Sequence, residues 1–529
     1  MNRLVLLLII ILHYSCKKEE SKDLESIINS EIKNIEPIIA PSTKLDSIDL
    51  LTLSDTLKVM YLKNNYNLLW ENTENRTDLI NNIENSNKEG LRPSEYFVNE
   101  LKKWEVKSNS FSNKDKINRD ILFSNAFEKY SSHIAKGKLN PKEIYKDWDL
   151  ESKYHYLTTK GIEAIADKKV ASYFSNLKPQ HENYNSLIES LADLEKLPET
   201  SFKILTLEKK IEPLDTVAIL PEIKERLHFW GDLVVLDSIS TTILDPKTTK
   251  AVERFQARHG LIADGIIGFK TLKALNKDKN YRKKQTISNL ERWRWYPTDL
   301  GNEYLLVNLP DYNLKYIKDG KTVENRRVVV GKSTRKTPVL ISKLSNFVFN
   351  PTWTVPPTIV KKDLTPSATR NRGYFTRTRI TIFNRNGEVV SPNNWNPENA
   401  KNYRYVQKTG YNNSLGLVKF NFKNNHLVFL HDTNHRDYFG LENKALSSGC
   451  VRVEHPLDLA KKILENQGDL DATKTVDALI EKGDYKTVSL EKKVGIYLFY
   501  WTSWKSKNGL EFRDDIYNYD EKLYSLLQN

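Results

Sequence analysis

Two short runs of this sequence hold residues fit for covalent chemistry. One reads Leu430-His431-Asp432-Thr433 and the other Ser447-Ser448-Gly449-Cys450-Val451-Arg452. A cysteine is a strong nucleophile only as its thiolate, so near neutral pH it needs a base or a cationic neighbour. A histidine can act as that base and later protonate a leaving amine. Gly449 lets backbone N–H groups approach a developing oxyanion with no Cβ in the way. Together these residue types suit attack on a carbonyl, with Cys450 as nucleophile, His431 as base and acid, and Gly449 at the oxyanion.

The cysteine count makes Cys450 conspicuous, because the chain has only one other, Cys16. Arg3 precedes an apolar run, Leu4 to Leu12, followed by His13-Tyr14-Ser15-Cys16 and then Lys17-Lys18. A positive start, a short apolar stretch and a small residue form a secretory signal. The stretch falls well short of the roughly 20 residues that span a bilayer. Cysteine after the small residue resembles the lipobox of bacterial lipoproteins, with Leu12 one place early and His13 at the usual leucine position. That resemblance makes Cys16 a lipidation site, so the mature chain can form no internal disulfide and Cys450 is a lone thiol in an exported protein. The pair His431-Asp432 with His435 invites a metal reading. Zinc needs three protein ligands, and none stand at a fitting spacing. No metal and no cofactor are expected.

Spacing along the chain cannot by itself bring His431 to Cys450, so the surrounding elements must. His431 ends an apolar run from His426 to Leu430, which reads as a strand. Val418, Phe420 and Phe422 alternate with polar partners, and Asn424-Asn425 turns the chain between the two. Short β-rich runs recur from about 287: Tyr304 to Leu309, Arg327 to Val330, and Ile380 to Phe383 with Glu388 to Val390 across an Asn386-Gly387 turn. A helix over Leu457 to Leu464 follows. Residues 287–487 therefore read as a mainly antiparallel β domain, extended by 488–529.

The rest of the chain reads as helical, and the whole as a multidomain α+β protein. Its 529 residues allow two to four domains. Residues 1–15 form the signal, 16–45 a polar tether and 46–214 a helical scaffold, with Leu57, Met60 and Tyr61 at helical spacing. Residues 215–277 form a compact helical unit. Asp245-Pro246 caps and starts one helix, Gly260 ends it, and Leu272 and Leu275 lie on the next. His259 reads as a surface histidine before that glycine, and His435 and His455 as surface or packing residues. Trp293-Arg294-Trp295-Tyr296 reads as core and interdomain packing.

Longer strings carry a resemblance. Ala251-Val252-Glu253-Arg254-Phe255-Gln256, Gly260-Leu261, Asp264-Gly265-Ile266-Ile267-Gly268 and Thr271-Leu272-Lys273-Ala274-Leu275-Asn276 resemble the three-helix peptidoglycan-binding module. The histidine and cysteine runs, with Asn350-Pro351-Thr352-Trp353-Thr354-Val355-Pro356-Pro357, Asn413 to Phe420 and Tyr500-Trp501-Thr502, resemble the L,D-transpeptidase family of YkuD type, in its large periplasmic branch. That resemblance implies a capping subdomain at about 356–410, peptidoglycan stem peptides as partners, and a 3–3 cross-link formed through a thioester on Cys450. It further implies substrate contacts at Arg452, Ser448, Thr433 and Trp353. Ser448 stands where many relatives have histidine, which leaves His431 as the base. Lys444 stands where that branch often has arginine.

The formal net charge of +13 fits either solubility or an anionic partner such as a membrane face or an acidic polymer. No nucleic-acid motif is present, so nucleic acid is not expected as a partner. Two other functions fit the same residues: an L,D-carboxypeptidase, in which water replaces the acceptor amine, and a non-catalytic peptidoglycan tether. The expected place is the cell envelope, with the membrane reached through the lipid on Cys16.

Overall fold

The protein was examined as a computed structural model, which describes residues 44–51, 53–106, 111–150, 157–234 and 241–528. The expected signal and Cys16 lie outside the described residues. The chain divides into two units: Met1–Asn87 with Leu91–Ala135 and Tyr154–Lys178, and Lys88–Gly90 with Lys136–Lys153 and Pro179–Asn529.

The first unit is helical. Ser54 caps the helix Asp55–Lys63 by accepting from the Leu57 amide, and Leu57, Met60 and Tyr61 bury one face. The long helix Asn113–Lys136 brings Phe123, Phe127 and Tyr130 to the same core. Asp120, on that helix, is fully buried and accepts from Tyr61 Oη (2.7 Å), Leu69 N (3.0 Å) and Trp70 N (2.7 Å). A buried carboxylate is tolerated only with such partners.

In the second unit, Leu220–Phe229, Pro246–Arg258 and Phe269–Leu275 pack around Ile223, Leu227, Val252, Phe255 and Leu272. Asp245 caps the middle helix at Thr248 N (2.9 Å) and pairs with the buried Lys224 at 3.0 Å. Gly260 turns out of that helix at φ +66, as expected. His259 departs from its expected surface place. It is buried, stacked on Phe255 at 3.8 Å, with Nδ1 bonded to the Phe255 carbonyl. Phe512, far along the chain, lies 5.7 Å from its ring, a contact that local sequence cannot report.

The strand-rich region also begins later than expected, because Lys279–Trp295 is one helix. Two of its buried arginines are paired in the interior, Arg294 with Glu291 at 3.0 Å and Arg292 with Asp520. Trp293, Trp295 and Tyr296 are buried in the core, as expected.

The strands are β1 (Trp148–Asp149), β2 (Glu303–Asn308), β3 (Asn313–Lys318), β4 (Lys321–Gly331), β5 (Val339–Phe349), β6 (Trp353–Thr354), β7 (Ile380–Phe383), β8 (Val389–Val390), β9 (Arg404–Gln407), β10 (Val418–Phe422), β11 (Leu430–His431), β12 (Ala445–Ser447), β13 (Val451–Val453), β14 (Lys486–Phe499), β15 (Ser503–Ser506) and β16 (Gly509–Phe512). The large sheet runs β5-β10-β11-β13-β4-β3-β2-β14, and β14 pairs back to β5, so the sheet closes on itself. Closure removes exposed edges. Most pairs are antiparallel, yet β11 with β13 and β2 with β14 are parallel.

Strand alternation sends Val418, Phe420, Leu430, Val451, Val453, Val328 and Phe347 into one core. Each such side chain stabilises by roughly 1.5–3 kcal/mol. The expected strand from His426 to Leu430 pairs only at its end. Asn424 accepts the amides of His426 and Val428 (3.0 and 3.1 Å) and holds that stretch as a turn. Between β5 and β10 the chain builds a separate lobe, the sheet β6-β9-β7-β8 with short helices. Its own core holds Val355, Leu364, Phe375, Ile382, Trp395 and Tyr405.

Candidate active site

The parallel register of β11 and β13 sets Leu430 opposite Val451 and His431 opposite Arg452. Leu430 and Val451 take the core side, so His431 and Arg452 share the opposite face. Val451 N donates to Phe429 O at 3.2 Å, which carries the ladder back to Cys450. Alternation then puts Cys450 on the same face as Arg452. On the other side of β11, Lys419 of β10 lies opposite His431. Four groups thus meet on one face: Lys419, His431 and Arg452 from neighbouring strands and Cys450 from the loop entering β13.

His431 is buried, with the Phe429 ring edge-on at 5.5 Å. Its Nδ1 bonds the carbonyl oxygen of Asp432. Because a carbonyl only accepts, Nδ1 carries the proton and Nε2 keeps a lone pair. Burial, with the charges of Arg452 and Lys419, depresses the imidazole to about 3. Burial raises the Cys450 thiol to about 11, against the opposing pull of a hydrogen bond from the Phe429 backbone and the charges of Lys419 and Arg452. The resting pair is therefore a neutral imidazole and a protonated thiol.

Asp432 fixes the histidine's backbone. Its carboxylate accepts from Leu417 N (2.8 Å) and Arg436 (2.5 Å), and its amide donates to Val418 O (2.9 Å). The chain passes so close at Gly416, φ +58, that a Cβ there would lie 2.2 Å from the Asp432 carboxylate. Only glycine fits.

The cysteine loop joins β12 to β13, both of which pair with β4. Gly449 adopts φ +122, which a side chain would strain. Ser447 Oγ donates to Cys450 O (2.6 Å) and accepts from Gly449 N (3.1 Å). The Gly449 amide expected at an oxyanion is thus already committed and must leave Ser447 to serve there. Thr337 Oγ1 donates to Gly449 O (2.8 Å), and Tyr517 Oη binds both Thr337 N and Gly331 O. Sequence reading missed Thr337 and Tyr517, since nothing local marks a residue whose role is to brace a distant loop.

The other expected contacts fare differently. Ser448 is exposed, and its hydroxyl meets Arg335 at 2.9 Å; Arg335 in turn pairs with Asp363 of the inserted lobe. Neither Arg335 nor Asp363 stood out in the sequence. Thr433 does not fit a substrate contact, because it is fully buried and its hydroxyl accepts from His435 N. It caps the turn after the strand instead. Trp353 sits in β6 opposite Gln407 and packs on the lobe's core. His435 is exposed and stacked on Tyr438, His455 is exposed, and Lys444 lies 5.5 Å over the Tyr312 ring.

A family model described as "L,D-transpeptidase catalytic domain" matches residues 302–478, the stretch that holds all four groups of this face. Residues 302–478 are thus similar to the L,D-transpeptidase family. A "Putative peptidoglycan binding domain" matches 219–275 and a "Scaffold domain" matches 55–191. A Haemophilus influenzae protein named "Putative L,D-transpeptidase" is 36% identical over 251 residues, 47% of this chain and 50% of the relative. The chain therefore spans about half the length of that curated relative. Solved L,D-transpeptidases include one from Stackebrandtia nassauensis, at 14% identity and TM-score 0.21, covering 56% of this chain and 97% of that chain. Another, from Xylanimonas cellulosilytica, has 13% identity and TM-score 0.17, covering 56% and 100%. Within the matched stretch, β10, β11 and β13 with the loop entering β13 supply the four polar groups.

Proposed function

We propose that this protein is a cell-envelope L,D-transpeptidase that forms 3–3 cross-links between peptidoglycan stems through a thioester on Cys450. The observation that carries the reading is the shared face of His431 and Cys450, with His431 Nδ1 held by Asp432 O and Nε2 left as the base. Cys450 Sγ attacks the carbonyl on the L-centre of the third stem residue while His431 Nε2 takes the thiol proton. The bond to the terminal D-alanine breaks, and His431 returns the proton to the departing amine. An amine of a neighbouring stem then attacks the thioester and releases the thiol. The backbone amides of Cys450 and Gly449 serve the oxyanion, the latter after release from Ser447.

In this reading the 219–275 match holds peptidoglycan noncovalently, the lobe between β5 and β10 caps the site, and lipidated Cys16 keeps the enzyme at a membrane. The deciding experiment is mass spectrometry of muropeptides after sacculi are incubated with the enzyme. New 3–3 dimers that vanish in Cys450→Ala support it. Tripeptides accumulating without dimers would make it an L,D-carboxypeptidase, and unchanged muropeptides a tether.

A further inference from the structure

Several buried cations elsewhere in this protein have carboxylate partners: Arg258 with Asp232, Arg292 with Asp520, Arg294 with Glu291. The two cations on the face around Cys450 have no such partner among the described residues. Arg452 is half-buried, and its Nε and Nη1 are buried without a hydrogen-bond acceptor. Its guanidinium lies 5.6 Å from the centre of the Tyr438 ring. Lys419 is half-buried too, its ammonium 4.1 Å over the Phe429 ring. Among the described residues no carboxylate forms an ion pair with either. Asp432, the nearest acid in sequence to His431, is taken by Arg436.

Two desolvated cations without an anion are costly to keep unless a ligand supplies one. Both flank His431 across the sheet, one strand to either side. Arg452 stands two residues beyond Cys450 on the same face, roughly 6–7 Å along the strand. An anion held there lies within a few bonds of a carbonyl presented to Cys450 Sγ. The planar fork of arginine matches a carboxylate bidentately, and the lysine adds a point charge.

We infer that Arg452 and Lys419 form a carboxylate-binding site, which holds a donor peptide by a carboxylate close to the bond that Cys450 breaks. The inference rests on the acyl-transfer reading above and names the group by which that site selects its donor. Within a stem, the carboxylate can come from the C-terminal residue or from the side chain of the third. Burial pulls both cations below their ordinary values, so each gains from an anionic partner.

The test uses Cys450→Ala, so that binding is read without chemistry. Calorimetry compares a tetrapeptide donor with its C-terminal carboxamide, and a third-residue side-chain carboxylate with its carboxamide. One amidation weakens binding about ten- to hundredfold and identifies the source. In Arg452→Met that discrimination disappears, while Arg452→Lys keeps part of it; Lys419→Met reduces it. Circular dichroism checks that each variant folds. Equal binding of all four peptides overturns the inference, as does discrimination that survives Arg452→Met. Thioester formation by the native enzyme is followed in parallel. If it fails while the Arg452-dependent preference persists, the acyl-transfer reading falls and the carboxylate site stands.

Discussion

His431 lies directly opposite Arg452 in the parallel pairing of β11 and β13. A permanent cation beside a buried imidazole disfavours a second positive charge, and Lys419 on the other side adds to the effect. The pair with Cys450 therefore rests neutral and becomes charged only as the thiol proton moves.

That state has a pH signature. With the imidazole depressed to about 3, its basic form persists well below neutrality, and with the thiol raised to about 11, free thiolate appears only in alkali. Alkylation of Cys450 by iodoacetamide is expected to be slow at pH 7 and to climb steadily above pH 9. Acylation by a carbapenem, seen as a mass shift that Cys450→Ala abolishes, should stay flat from pH 5 to 8. An acid limb near pH 6.5 would contradict the neutral pair.

Gly416→Ala should disarm the site from a distance. Its Cβ would collide with the Asp432 carboxylate in a left-handed conformation, so the chain must shift where it anchors His431. The expected cost is about 2–4 kcal/mol of stability, with carbapenem acylation slowed at least tenfold. Thermal unfolding and adduct mass together measure it; native values for both would refute the bracing role of Asp432.

Arg335 ties Ser448 of the cysteine loop to Asp363 of the lobe. Asp363 is 42% exposed, so the pair is screened and contributes little to stability, well under about 1 kcal/mol. Its effect is on motion. Arg335→Ala should leave the melting temperature nearly unchanged while raising deuterium uptake in Val360–Leu364. Uptake equal to that of the native protein would remove the tether.

Asp120 offers a test in the helical unit. Burial raises its carboxyl from 3.8 to about 6 despite three donors. Since the folded value lies above the unfolded one, its stabilising contribution is full below about pH 4 and is lost as pH rises through 6. Asp120→Asn should therefore show its largest deficit near pH 4, shrinking by up to about 2 kcal/mol towards pH 7. Denaturant midpoints across that range check the trend, and a deficit independent of pH would rule it out.

Much of the fold was legible because its parts are local. The Asp245-Pro246 start, the Gly260 exit and the alternation of Val418, Phe420 and Phe422 depend on neighbours within a few residues, and the structure keeps them. His259 and Thr433 were misread for the opposite reason. Phe512 buries the first, and the close of the turn after β11 buries the second. The helix Lys279–Trp295 was missed in part because its buried arginines pair with Glu291 and with Asp520, more than two hundred residues from Arg292.

The sequence by itself determined which residue types are present for the chemistry, the strings by which 302–478 resembles the L,D-transpeptidase family, and the order of helical and strand regions. Only the tertiary structure decided that His431 and Cys450 share a face, that Lys419 and Arg452 flank them without an ion-paired carboxylate among the described residues, and that Gly449 N is held by Ser447. Those facts depend on strand register and sheet closure, which pair residues far apart in the chain. Cys450 is one of two cysteines in the sequence; the pairing of β10, β11 and β13 gives it neighbours.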